Sequence, residues 1–490
     1  MADTTAIVTI RDGSTKSTVI SRVEELGYVV ADTMPNSDSN FKINCSETDM
    51  PTIENEADVD DIISQIQLDK LQIRRAYDLV PFDQTINPDT SSTPNGSAHN
   101  WGLARCSQAS NSPLSTYVNF PHNGKGINCV VIDTGVMANH PEFKDAEGNS
   151  RVNQYAWKGG LGGSFYTDEH GHGTHVAGTM CGLTQGWARD ATIYSMKIFD
   201  TDCLGVLEAL QLVKVFHKQQ SNPTVVNMSW GYYKYYPLSH PTKTGWSDYH
   251  PYRVTSVDAE IRDMIKAGII CVGAAGNANH IIDRLIDETK SEQGHYNDSY
   301  KTSDWWGDYY DENGLYDWYM HRGSSPASAP GVVCVGASNK DDERATFSNY
   351  GGRVDVYAPG RYIQSAWIDT SKAQHPSDSN FGLRKLSGTS MASPQVAGII
   401  SCLIKGTTTK YKKLRRAIKK TANKNVLNES ARTLGNGTNR LVSYPVKNQT
   451  IVDGQPILPG KNKMFFEKGS FEFKGWNIDT FDDKDDDDLG

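Results

Sequence analysis

The sequence contains no long hydrophobic run. None of its apolar stretches approaches the roughly 18 residues that a membrane-spanning helix requires. Its first residues, MADTTAIVTIRDGSTKS, also lack the basic start, the long apolar stretch and the small-residue cleavage site of a secretory signal peptide. We therefore expect no membrane partner, and an intracellular or virus-particle location stays open.

Basic residues are not in excess either. The 49 Lys and Arg residues stand against 58 Asp and Glu residues, for a formal net charge of −9. A protein that binds nucleic acid needs a basic face for the phosphates, so nucleic acid is not an expected partner. The most acidic stretch, residues 482–488, is typical of a solvated tail.

Cysteine is sparse and never occurs as a CxxC pair among the 8 cysteines. Cys129, Cys271 and Cys334 stand inside apolar runs that read as strands. We expect buried free thiols, and a disulfide between two of the other cysteines stays open.

At 490 residues the chain is too long for one average domain. We predict a small module over 1–82, a polar linker over 83–98, a large domain over 99–444 and an extension with an acidic tail over 445–490. An aromatic and acidic insertion over 279–325 interrupts the large domain.

The first module has the element order β-α-β-β-α-β, which indicates a small ferredoxin-like α+β fold. Its first helix is predicted in VISRVEELG and its second in ADVDDIISQIQLDKL, residues 57–71, with IRRAYDLVP as the closing strand. In the large domain, short continuous apolar runs alternate with helical stretches. That alternation predicts an α/β fold with a mostly parallel sheet covered on both faces.

Three short segments carry the polar residues on which the functional prediction depends. Asp133 follows the apolar run of VVIDTGV, His172 stands between two glycines in DEHGHGTHVAGTM, and Ser390 opens the helical stretch of LSGTSMASPQVAG. Each residue alone has a plainer interpretation, as a turn, a metal ligand or a helix cap. Together they supply a nucleophile, a base and a carboxylate that orients the base.

A fourth segment, CVGAAGNANH, places Asn277 after another buried strand. Its side-chain amide is suited to stabilise a carbonyl oxygen that gains negative charge. The alternative for this residue is a turn position that tolerates a left-handed backbone. A different alternative groups His170, His172 and His175 as ligands of a metal-dependent hydrolase, although no carboxylate follows at zincin spacing.

The order Asp, His, Asn, Ser with these flanking residues resembles the subtilisin-like serine protease (subtilase) family. SPASAPGVVCVGAS, ATFSNYGGRVDVYAPG and NWGLARCSQ bring the chain closest to the proteinase K branch, over residues 98–425. The resemblance implies a three-layer subtilisin-like fold and a serine endopeptidase. It also implies that Asp133, His172 and Ser390 form the triad and that Asn277 is the oxyanion donor.

The same resemblance implies where a polypeptide substrate lies. The segments that would contact it are one strand that pairs with the peptide, one stretch on the peptide's other side, and one wall of the primary specificity pocket. The strand is Ser229, Trp230 and Gly231. The stretch on the peptide's other side is Cys203, Leu204 and Gly205. The pocket wall is Ala274, Ala275 and Gly276. Trp230 replaces a smaller residue, from which we expect a narrower cleft.

Two further expectations follow from the resemblance. The module resembles the family's N-terminal propeptide, which assists folding, blocks the cleft as the chain's own partner and is removed by self-cleavage, expected here between residues 79 and 100. The chemistry requires no cofactor, but a structural calcium ion is implied at the carbonyls of Pro330 and Val332, with Asn339 at the family's acidic position.

A function of another class stays open. The polar N-terminus and the C-terminal extension also suit a structural or scaffold component, for instance of a virus particle, that carries an inactive or latent protease fold. A complete set of triad residues speaks against inactivity.

Overall fold

The computed structural model describes most of the module and most of the large domain. The described residues are 4–75, 100–107, 123–153, 155, 157, 166–199, 203–235, 249–282, 300–301, 308–311, 314–317, 319–320, 323–371, 373–404, 411–435 and 437–444. The predicted linker 83–98, the extension 445–490 and much of the 279–325 insertion lie outside these residues.

The N-terminal module is an antiparallel sheet with helices. Its elements are β1 (Thr4–Ile10), α1 (Lys16–Glu25), β2 (Val29–Asp32), β3 (Asn40–Cys45), α2 (Met50–Glu54), β4 (Val59–Ser64), α3 (Gln65–Asp69) and β5 (Leu71–Arg75). The sheet order is β2-β3-β1-β4, with antiparallel pairing throughout. The first six elements follow the predicted order β-α-β-β-α-β, but α2 stands earlier than the predicted second helix, and the predicted closing strand, as β5, pairs with β9 of the large domain and not with this sheet.

The predicted second helix over 57–71 is wrong. Its first half is strand β4, in which Ile62 and Ile63 lie opposite Val8 and Ile7 of β1. A new helix begins only after Ser64, whose side chain and backbone exchange hydrogen bonds with Gln67 in a capping box. Partners in the sheet bury the apolar residues of this stretch, which overrides its helical spacing.

The large domain alternates strands and helices. Up to the insertion its elements are α4 (Trp101–Cys106), β6 (Asn128–Asp133), α5 (His172–Cys181), β7 (Thr192–Lys197), α6 (Cys203–Gln219), β8 (Thr224–Met228), β9 (Trp230–Tyr235), β10 (Tyr249–Pro251), α7 (Thr255–Lys266) and β11 (Ile270–Ala274). From the insertion onward they are β12 (Tyr300–Lys301), β13 (Asp308–Asp311), β14 (Gly314–Asp317), β15 (Tyr319–Met320), β16 (Val333–Ser338), β17 (Val356–Pro359), β18 (Ile363–Trp367), β19 (Ala373–His375), β20 (Asp378–Leu386), α8 (Thr389–Leu403), α9 (Tyr411–Thr421), β21 (Asn423–Lys424) and β22 (Arg440–Leu441).

The central sheet has eight strands in the order β21-β22-β17-β16-β11-β8-β6-β7. All its pairings are parallel except that of β21 with β22. Every residue of β6, β8, β11 and β16 is buried. Such strands are covered on both faces, as the continuous apolar runs predicted.

Successive side chains of β6 enter two different cores. Cys129 and Val131 pack with residues of α5 and α8, whereas Val130 and Ile132 pack with residues of α6 and α7. Because side chains alternate across a strand, this division places helices on both faces of the sheet. The predicted three-layer α/β architecture is confirmed.

The order of the strands in the central sheet brings three of the predicted site residues to the same edge. In the sheet β8 lies between β6 and β11, and all three run in the same direction. Their carboxyl ends therefore meet at one edge, where catalytic groups of open parallel sheets collect. Asp133 ends β6, Ser229 follows β8 directly and Asn277 follows β11 by three residues.

The described cysteines whose side chains are placed are all buried, and no disulfide joins any two of them. Burial raises the pKa of the thiols of Cys106 and Cys334 to about 12, so both stay protonated at neutral pH. Among the described helices, none has both the length and the apolar character needed to cross a bilayer.

Candidate active site

Asp133 and His172 form a buried hydrogen-bonding contact. His172 Nδ1 lies 2.7 Å from Asp133 Oδ1, and both side chains are 0% exposed. The carboxylate oxygen also accepts the backbone N–H of Thr134 at 2.8 Å. Because Nδ1 faces the carboxylate, acid–base catalysis by this ring would use its other nitrogen, Nε2.

Close backbone contacts hold His172 in place. It is the first residue of α5 and follows Gly171, whose φ of +94° is a left-handed conformation that favours glycine. A Cβ on Gly173 would lie 3.1 Å from that of Asp133 and would collide with the backbone oxygen of Gly135. The glycines flanking the histidine are thus needed for the approach of α5 to the end of β6.

Asp168 is a positioning residue that the sequence analysis missed. Its carboxylate accepts the backbone N–H groups of Gly171 and Thr174 at 2.8 and 2.9 Å and the hydroxyl of Thr134 at 2.9 Å. It therefore caps the start of α5 and links it to the loop after β6. An acidic residue shortly before a predicted helix is a recognisable capping signal that points to it.

Ser390 is the second residue of α8, which packs against α5. The side chain is buried and its Oγ donates to the carbonyl of Ser229 at 3.1 Å. In return Ser229 Oγ donates to the carbonyl of Ser390 at 3.0 Å. These reciprocal bonds join the start of α8 to the carboxyl end of β8.

Asn277 presents a buried amide donor beside Ser390. Its Oδ1 accepts both the backbone N–H and the hydroxyl of Thr389, each at 2.9 Å, which fixes the orientation of the amide. Within the described part of the chain, its Nδ2 has no hydrogen-bond partner. A Cβ on Gly388 would lie 3.3 Å from this Nδ2 and 3.6 Å from the Ser390 nitrogen, so both donors border one small volume.

The segment predicted to pair with a peptide already has a strand beside it. Strand β9, which contains Trp230 and Gly231, pairs antiparallel with β5 of the N-terminal module. Arg75 lies opposite Trp230, and Arg74 lies opposite Gly231. The module thus occupies a strand position next to the candidate site.

The indole of Trp230 is fixed against the central sheet. Its N–H donates to the carbonyl of Ile132 at 3.0 Å and its side chain is 1% exposed. The expectation that it narrows the cleft stays a prediction. Ala274 ends β11, and Ala275 and Gly276 continue from it toward Asn277.

Cys203, Leu204 and Gly205 require a correction. They form the start of α6, whereas pairing with a peptide requires extended backbone. Helical backbone turns its N–H and C=O groups along the helix axis, so these residues cannot extend a sheet beside a substrate. Residues 200–202 lie outside the described residues.

The alternative metal cluster does not converge. His172 Nδ1 is committed to Asp133, and His175 Nε2 lies 3.0 Å from the carbonyls of Ile363 and Arg384. Burial lowers the pKa of His175 to about 3, so its ring is neutral and donates to a carbonyl. In the described ranges, no three His, Cys, Asp or Glu side chains could hold a metal ion together.

The residues at the implied calcium site do not fit calcium. Arg353 Nη2 donates to the carbonyls of Val332, Ala329 and Ala327, at 3.0, 2.9 and 2.9 Å. Its Nη1 donates to Asp355 Oδ2 at 3.1 Å. A calcium ion bound by these oxygens would lie against a guanidinium cation, so the arginine itself satisfies the oxygens.

The surroundings of Asp355 and Asn339 also argue against a calcium ion at this position. Burial alone would raise the pKa of Asp355, but Arg415, Arg353 and Lys419 outweigh it and hold this pKa below the usual range. Asn339, at the expected acidic position, uses its Oδ1 to accept the backbone N–H groups of Asp341 and Glu343 at 3.0 and 2.9 Å. It is a turn residue in this structure.

Comparison with known proteins identifies relatives of one kind. The family model described as "Subtilase family" matches residues 124–437. Alkaline protease 1 of Emericella nidulans is 31% identical over 340 residues, covering 68% of this chain and 65% of the relative. Cuticle-degrading protease of Metarhizium anisopliae is 31% identical over 335 residues, covering 67% and 66%. The matches therefore span just under two thirds of these relatives.

A solved structure is also similar. The crystal structure of a cold adapted subtilisin-like serine proteinase is 27% identical, covers 72% of this chain and 100% of its own, and has a TM-score of 0.49.

Proposed function

The chain belongs to the subtilase family, and from that premise we propose that it is a serine endopeptidase with Asp133, His172 and Ser390 as its triad. The observation that carries the proposal is the 2.7 Å contact between His172 Nδ1 and Asp133 Oδ1, buried at the sheet edge where α8 presents Ser390. A buried, oriented imidazole and a serine hydroxyl at the start of a helix are the groups that acyl transfer requires.

In the proposed reaction Ser390 Oγ attacks the carbonyl carbon of a peptide bond, and its proton passes to Nε2 of His172. Asp133 stabilises the imidazolium that forms. The C–N bond then breaks as His172 returns the proton to the leaving amine, which leaves an acyl group on Ser390. Water attacks that acyl group with His172 again acting as the base, and the serine is regenerated.

Asn277 is proposed as the oxyanion donor together with the backbone N–H of Ser390. The tetrahedral intermediate carries negative charge on the former carbonyl oxygen, and both donors border the same small volume. Because Thr389 holds the amide oxygen, the amide needs no reorganisation when that charge forms. The N-terminal end of α8 adds a favourable dipole.

We propose that a substrate binds as an extended strand beside β9, as β5 does. The pairs in this ladder run from Leu71 opposite Lys234 to Arg75 opposite Trp230. A substrate strand in this register that extends one residue beyond the position of Arg75 would place that residue opposite Ser229, whose carbonyl accepts the Ser390 hydroxyl. The bond after residue 76 is therefore the proposed self-cleavage site, just before the region that the sequence alone suggested.

Contacts outside the ladder support a role for the module as an inhibitor of its own chain. Asn40 Nδ2 donates to the carbonyl of Ser256 and to Glu260 Oε1, both at 3.1 Å, and Lys214 Nζ donates to Asp38 Oδ2 at 3.0 Å. These bonds join the module to α6 and α7. With β5 beside β9, a second strand cannot pair there until the module leaves.

The direct test compares the parent chain with Ser390→Ala and His172→Ala variants. We expect the parent to label covalently with a fluorophosphonate and to digest casein, and both variants to do neither. A folded parent that neither labels nor digests casein would overturn the proposal. Size-exclusion chromatography of the same samples separates a processed monomer from a scaffold-like assembly.

A further inference from the structure

Tyr233 occupies the space between two glycines that flank the candidate site. A Cβ on Gly276 would lie 3.3 Å from Tyr233 Oη, and one on Gly231 would lie 3.4 Å from Tyr233 Cε2. The tyrosine is only 1% exposed. Its ring therefore extends from the backbone of β9 to the backbone that leads into Asn277.

The direction of the ring follows from strand geometry. Gly231 and Tyr233 are two residues apart on β9, so they face the same side, whereas Trp230 and Tyr232 face the other. Trp230 and Tyr232 accordingly pack together in the core that contains α6 and α7. Tyr233 alone among these aromatic residues points toward the gap between the glycines.

Other small polar groups close the same gap. A Cβ on Gly231 would lie 2.5 Å from Ser324 Oγ, and a Cβ on Gly276 would lie 2.5 Å from Asn349 Nδ2. Both Ser324 and Asn349 are buried. The tyrosine ring, a hydroxyl and an amide thus lie within 3.4 Å of the positions that Cβ atoms on the two glycines would take.

We propose that Tyr233 fills the primary specificity pocket and restricts the residue before the cleaved bond to a small side chain such as Gly, Ala or Ser. This inference rests on the proposed function. A peptide strand paired with β9 places that residue opposite Ser229, and its side chain would enter between Gly231 and Gly276. Ala76, the residue that follows Arg75 in the sequence, has a side chain of this small size.

The test uses two variants and two peptides. Tyr233→Ala removes the ring, and Tyr233→Phe keeps the ring volume and is the matched control. The substrates are a pair of chromogenic peptides that differ only by Ala or Phe before the scissile bond. The ratio of their kcat/KM values, measured in one preparation, does not depend on the fraction of enzyme that is active.

We expect the parent and Tyr233→Phe to prefer the Ala peptide by about tenfold or more, and Tyr233→Ala to reverse the preference. A parent that labels with fluorophosphonate yet prefers the Phe peptide would overturn this inference and leave the proposed function intact. A parent without labelling or activity would overturn both. Should Tyr233→Ala fail to fold, the cleavage profile of the parent on a peptide library still decides: large residues before the cut would contradict the proposal.

Discussion

Replacement of Asn277 removes one of the two proposed hydrogen-bond donors to the oxyanion and so tests the role of that donor. Asn277→Leu removes the amide N–H while roughly keeping side-chain volume, and it also removes the oxygen that holds Thr389. Asn277→Asp keeps an oxygen for the two Thr389 contacts at 2.9 Å but replaces the Nδ2 donor. Comparison of the two variants separates loss of the donor from loss of local support for α8.

The expected magnitude follows from the position of the donor. Asn277 is 2% exposed and its Nδ2 has no partner among the described residues, so no bond must break before it meets the oxyanion. Loss of such a donor costs about 2.7–4 kcal/mol in the barrier, a value known from the equivalent asparagine of subtilisin itself. We therefore expect kcat to fall about 100- to 1,000-fold in both variants.

Steady-state kinetics on one peptide, with thermal unfolding as the control for folding, provide the assay. The oxyanion exists only in the transition state and its intermediates, so the loss should appear in kcat while KM stays near the parent value. A folded Asn277→Leu variant with kcat within about threefold of the parent would refute the assigned role, as would an effect confined to KM.

Two further predictions concern stability and are best measured on the Ser390→Ala chain, in which self-digestion is excluded. Arg353→Met leaves three buried carbonyls without their shared donor, while Asp355 keeps Arg415 and Lys419, so we expect the free energy of unfolding in urea to fall by about 1–3 kcal/mol, and an unchanged value would contradict this. Burial lowers the pKa of His140 to about 4 and that of His175 to about 3, from an ordinary 6.5. The unfolded state then binds more protons between about pH 6.5 and these values, so the free energy of unfolding should fall as the pH decreases through that window, and a value that stays constant or rises would refute this assignment.

Sequence patterns predicted the central sheet because its strands are buried on both faces. The run CVVI, residues 129–132 of β6, has apolar residues at every position, and both of its faces pack against helices. The stretch 57–71 was misassigned because the spacing of its apolar residues fits both a helix and a strand. Only the pairing of β4 with β1 decides between the two structures.

Local motifs also placed the candidate catalytic residues at one edge of the sheet, since each follows a strand or opens a helix. Contacts between distant segments were not predictable in this way. Nothing near Val332 in the sequence indicates that Arg353 meets its carbonyl, and nothing near Gly276 indicates that Tyr233 lies against it. Such contacts depend on the folded path of the chain, which single motifs do not encode.

The central claim, that Asp133, His172 and Ser390 act together on a strand beside β9, is tested most directly by the N-terminal sequence of the purified protein. We predict that the parent chain splits and yields a large fragment that begins at Tyr77, while the Ser390→Ala chain stays uncut. An identical, uncut product from both chains, or the same cut in the absence of Ser390, would contradict the account.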